Sequence, residues 1–133
     1  MLAILVFGLI GTAVELLLLG HDEGLGQLVP VVLIVAALFV VTWHVVWQTP
    51  LSLVAMRVLM AAFIASGALG VALHSKGSVE FQKEIDRSIH GFELFKKVIQ
   101  SKAPPALAPG LMAQLGLLGL VYAYRHPIER RKK

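Results

Sequence analysis

From Leu28 to Trp47 the chain carries no Asp, Glu, Lys or Arg, and three further runs, 2–20, 51–73 and 106–124, are nearly as apolar. Each is close to the ~20 residues that cross a ~30 Å hydrocarbon core as a helix. A soluble helix confines its apolar residues to one stripe, whereas these runs are apolar all round. Composition agrees: of 133 residues, 57% are hydrophobic and 15% charged, where soluble domains carry roughly a quarter. The expectation is an all-α polytopic membrane protein. Its single membrane domain is a four-transmembrane-helix bundle with an amphipathic interfacial helix between spans three and four. The first run has no basic residue before it and exceeds the ~7–15-residue core of a signal peptide, so it reads as a span.

Local signals divide the runs. Pro30 is expected in the first turn of span two, where a missing N–H costs little. Trp43 and Trp47 mark the far end of that span, as aromatic rings do at headgroup level. Gln48-Thr49-Pro50 turns the chain into span three, and Tyr122, Tyr124 and Arg125 close span four. Ala62, Ser66 and Gly70 recur at helix-packing spacing, as do Gly116 and Gly119, and Gly67 and Ala68 broaden the first stripe. Small residues let helix backbones approach, and packing inside the bundle is favoured over an external dimer face.

Between spans three and four, from about 78 to 102, the composition turns to mixed charge. Phe81, Ile85, Ile89, Phe92, Phe95 and Ile99 keep helical spacing, with Val98 alongside. Ser78 is the expected N-cap, Gly91 a dividing point, and Ala103-Pro104-Pro105 the stop. Such a segment is expected to lie in the interface over the open end of the bundle.

Four spans place both ends of the chain on one side, together with Arg57, Arg125, Arg130, Arg131, Lys132 and Lys133. Lys76, Lys83, Arg87, Lys96, Lys97 and Lys102 fall on the other. The dense basic tail, 125–133, favours both termini cytoplasmic.

Glu15 is an ionisable group at membrane depth, where such groups face a bundle interior. Gln114 is expected at similar depth, so a buried Glu15–Gln114 hydrogen bond is predicted. His21, Asp22, Glu23, His74, Glu80, Asp86 and His90 gather on one side and are candidate ligands for a divalent metal ion. The histidines also form two pairs by depth, His21 with His74 and His44 with His126, which makes them candidate axial ligands of b-type haem. No spacing matches a zinc motif, a P-loop, a dinucleotide fingerprint or a serine-nucleophile elbow. With no cysteine, disulfides, thiolate metal sites and Cys nucleophiles are excluded. The net charge of +4 comes with no nucleic-acid motif, so no nucleic-acid partner is expected.

Three segments carry a resemblance. They are Glu15-Leu-Leu-Leu-Leu-Gly-His21-Asp-Glu23; His74-Ser-Lys-Gly-Ser-Val-Glu80-Phe81 with Glu84; and Ala103-Pro-Pro-Ala-Leu-Ala-Pro-Gly110 with Met112-Ala-Gln-Leu-Gly-Leu-Leu-Gly119 and Tyr124-Arg-His-Pro127. In these the chain resembles an uncharacterised group of small bacterial four-span integral membrane proteins. The resemblance implies a bacterial inner-membrane location and marks Glu15, His74, Glu80 and Gln114 for testing. The functional expectation is a non-enzymatic accessory or interaction subunit of a membrane assembly. It would bind the lipid bilayer and either a membrane-protein partner or a second copy, with no cofactor. The alternatives are a metal- or haem-b-binding redox protein and an oligomeric channel or carrier.

Overall fold

The computed structural model describes residues 1–20, 24–101, 107–124 and 126. Among them the chain is wholly helical: α1 (Leu2–Leu18), α2 (Leu25–Trp47), α3 (Pro50–Ile85), α4 (Gly91–Ile99) and α5 (Leu107–Ala123). Two helical stretches, Gly26–Trp47 and Pro50–Ile85, are long and apolar enough to cross a membrane, while α1 and α5 are shorter apolar helices. Around the bundle the neighbours run α1, α2, α3, α5 and back to α1, with α3 and α5 in the most extensive contact.

The turn between α2 and α3 is built by local chemistry. Gln48 takes a left-handed backbone conformation at the end of α2. Thr49 then caps α3: its Oγ1 accepts from the Ser52 N–H (3.1 Å) and its own N–H donates to Ser52 Oγ (3.1 Å). Pro50 at the first helical position needs no donor. At the other end of the bundle, α2 begins at Leu25, earlier than expected. Pro30 therefore lies inside the helix rather than in its first turn, and the Gly26 carbonyl loses its i+4 donor.

The core joins the inward faces of the helices: Leu5, Leu9 and Leu16 of α1; Ile34, Ala37 and Val41 of α2; Met56, Met60 and Phe63 of α3; and Met112 and Leu115 of α5. The α3–α5 contact depends on glycine. A Cβ on Gly67 would stand 2.6 Å from the Pro109 carbonyl oxygen, and one on Gly116 2.6 Å from that of Met60. Neither oxygen can move without shifting a helix, so the backbones touch where only hydrogen fits. Of the expected stripe, Gly70 packs against Pro109 of α5 and Gly67 makes the closer backbone approach, while Ser66 turns to a neighbouring cleft.

The expected break after span three does not occur. α3 continues unbroken through Ser78 to Ile85, so Ser78 is a helix-interior residue and not an N-cap. No proline intervenes, and Gly77 alone is a weak breaker. The helix stops at Asp86, and Gly91, at φ +61°, opens α4. α4 folds back on α3 and buries Ile89 and Val98. The amphipathic segment is therefore a hairpin of two helices, not one helix laid over the bundle end. The Ala103-Pro104-Pro105 stop and the basic tail fall outside the described residues, His126 excepted.

Candidate functional site

The bundle has two ends with different chemistry. At the end remote from Met1 lies a largely apolar cleft of about 640 Å³ lined by α1, α2, α3 and α5. Leu16, Leu69, Leu73 and Met112 supply apolar wall, together with Pro30 of α2 and Pro109 of α5. Gln27, Ser66 and His74 are its polar lining. A volume of this size holds a small ligand or a chain segment.

Beyond His74, the end of α3 and α4 carry an apolar face left uncovered. Phe81, Ile85, Phe92, Phe95 and Ile99 are all exposed, with Phe92 at 78%. The Phe92 and Phe95 rings stand 6.3 Å apart. The connecting turn is held by Asp86, whose Oδ1 accepts from the Ser88 hydroxyl (2.6 Å) and the Ser88 N–H (3.0 Å). These bonds favour the ionised carboxyl and hold it below its usual range.

At the opposite end, α2, α3 and α5 enclose a compact polar cluster. His44 is only 1% exposed, and its Nδ1 lies 2.9 Å from Ser52 Oγ. The His126 ring stands 5.0 Å from that of His44 at 73°, and Tyr122 lies 6.0 Å from His44 and 5.5 Å from His126. His44 Nε2 and His126 Nδ1 are buried without a hydrogen-bond partner. Beside the cluster, Arg57 Nη2 donates to the Ala123 carbonyl (2.6 Å), placing a cation at the negative end of α5.

No family model, curated protein or solved structure matches this chain. What each end does must be read from its own residues.

One expectation is overturned, and a second is corrected at one of its two histidine pairs. Glu15 and Gln114 do not share a hydrogen bond, and both are exposed on outer faces. The inward face of α1 is set by Leu5, Leu9, Thr12 and Leu16. At 100° per residue that face excludes Glu15. α5 likewise turns Met112, Leu115 and Gly116 inward and Gln114 out. The polar group that α1 does bury is Thr12, whose hydroxyl donates to the Gly8 carbonyl (2.8 Å).

The second concerns haem. Two axial imidazoles across a porphyrin need centroids roughly 6 Å apart, from ~2 Å metal–nitrogen bonds on opposite faces. His44 and His126, at 5.0 Å, leave no plane between them and do not fit that group. Of the other pair, His74 lines the cleft and His21 lies outside the described residues.

The divalent-metal set is not assembled among the described residues, where no three His, Asp or Glu side chains converge. His21, Asp22 and Glu23 fall outside them. Glu80 pairs with Lys76 at 3.8 Å, and His90 Nδ1 bonds the Ser88 carbonyl. Sequence reading missed Ser52 as the partner of His44, although its place in Thr49-Pro50-Leu51-Ser52, eight residues on, is a legible helix-start signal.

Proposed function

We propose that this chain is a four-span integral membrane protein of the bacterial inner membrane, and a non-enzymatic subunit that engages a membrane-protein partner through its α3–α4 hairpin. The outward faces of the bundle support insertion: Phe7, Leu18 and Phe39 are exposed by 80%, 82% and 73%. Only 22% of the most apolar stretch of either long helix is buried, whereas the core helix of a soluble protein is mostly buried. At 17 residues each, α1 and α5 sit at the short end of the spanning range.

The observation that carries the interaction reading is the length of α3. Its 36 residues extend for ~54 Å, against a core of ~30 Å. The excess, with α4 folded back on it, presents the phenylalanine face beyond the span. Uncovered apolar surface of this kind marks an interaction site.

Photo-crosslinking tests this reading. With benzophenone-alanine at Phe95 in native membranes, the expected product is one adduct of protein size, lost when F81D and F92D are added. Adducts with lipid alone would overturn the partner and identify the hairpin as a membrane-surface anchor.

A further inference from the structure

The polar cluster at the other end of the bundle supports an inference independent of the hairpin and its partner. We propose that His44 and His126 bind one soft monovalent transition-metal ion, with the chemistry of Cu(I), and that Ser52 is the positioning residue that aims His44.

One proton decides the tautomer of His44. Ser52 Oγ lies 2.8 Å from the Thr49 carbonyl oxygen and 2.9 Å from His44 Nδ1. Two oxygens at 2.8 Å require a hydrogen between them, and the carbonyl has none, so the serine hydroxyl donates there. Ser52 can then only accept from His44, which puts the imidazole proton on Nδ1. The lone pair of the neutral ring is on Nε2, the nitrogen that is buried without a partner. A histidine with one nitrogen fixed by a neighbour and the other presenting its lone pair is in the state that ligates metal.

His126 supplies the second donor. Its Nδ1 is likewise buried and unpartnered, on a ring 5.0 Å from the first. A metal ~2 Å from each nitrogen along its ring axis would close that separation at roughly 105°, with exogenous donors such as water completing a three- or four-coordinate shell. Tyr122 walls the site against both rings.

Charge and ligand type select the ion. Neither α2 nor α5 carries an Asp or Glu, and the first on α3 is Glu80, on the far side of the bundle. The guanidinium of Arg57 adds positive charge nearby. A divalent ion would bring a second charge that no carboxylate of α2, α5 or the adjoining part of α3 balances, at high cost in a buried site. Imidazole suits copper, and the monovalent state halves that cost.

The test uses the full chain purified in detergent, with Cu(I) supplied from its complex with bicinchoninate and transfer read from the absorbance of that complex. One equivalent is expected to transfer. H44Q and H126Q should each weaken binding at least about hundredfold, and S52A about tenfold to hundredfold, as loss of an orienting partner does. S52T should restore it, whereas T42A should bind as the parent does. His126 lies beyond α5, so H126Q reports on the site even if H44Q perturbs packing. No transfer, transfer undiminished in H126Q, or stoichiometric displacement by Zn(II) would each overturn the proposal.

Discussion

Ser52 shows how much one side chain can hold at the residue scale. Its hydroxyl caps α3, receives the Thr49 N–H, and fixes the proton of a buried histidine on the preceding helix. Replacing it with alanine removes a capping partner, worth about 1 kcal/mol in ordinary helices. It also leaves His44 Nδ1 unsatisfied in a buried position, a further ~1–3 kcal/mol. We expect S52A to lower the midpoint of unfolding in an SDS titration clearly more than T42A, whose exposed hydroxyl only returns to the Leu38 carbonyl (2.8 Å).

Asp86 offers a pH-dependent counterpart. Its folded pKa is depressed, so its contribution to the turn is present above the unfolded value and is lost as pH falls through the folded one. Protection of the Ser88 amide from hydrogen exchange should therefore hold at neutral pH and fade below about pH 4. In D86N that pH dependence should be absent.

At the scale of elements, the α3–α5 seam is the part least tolerant of change. A side chain on Gly116 meets the Met60 carbonyl at 2.6 Å and a side-chain carbon of Ile64 at 2.8 Å. G116V is expected to destabilise by about 1–3 kcal/mol, typical of an overpacked core. G26A, with nothing within 4 Å of its Cβ, should not lower thermal stability in detergent, since alanine is the better helix former.

The seam also shows what could be read beforehand. The apolar runs, the turn at Gln48–Thr49, the small-residue faces and the division at Gly91 were legible, because length, capping chemistry and backbone freedom are local. That Gly67 joins Gly70 in the contact was not, since only the docking of Pro109 on α5 brings backbone against Gly67. The unbroken α3 was missed for a related reason. Charge appears after His74, but the helical period runs on through Lys76, Glu80 and Lys83, and a change of solvent does not end a helix. Glu15 was misplaced because depth along a helix says nothing about the direction a side chain faces.

For the whole molecule, the proposed architecture puts the two histidines at one membrane face and the cleft and hairpin at the other. Leu5 beside Gly119 and Gly8 beside Leu115 make α1 antiparallel to α5. Arg57 on the end of α5 places Ala123 near the α2–α3 turn. If all four apolar helices span, Gln48 and Ser88 must therefore face opposite compartments. The absence of native cysteine makes this directly accessible. Single cysteines at Gln48 and Ser88 would be labelled in spheroplasts with a membrane-impermeant maleimide. The account predicts labelling of Q48C only after lysis and of S88C in intact spheroplasts. The reverse pattern would keep four spans and invert the orientation, whereas equal labelling at both sites would contradict the four-span fold.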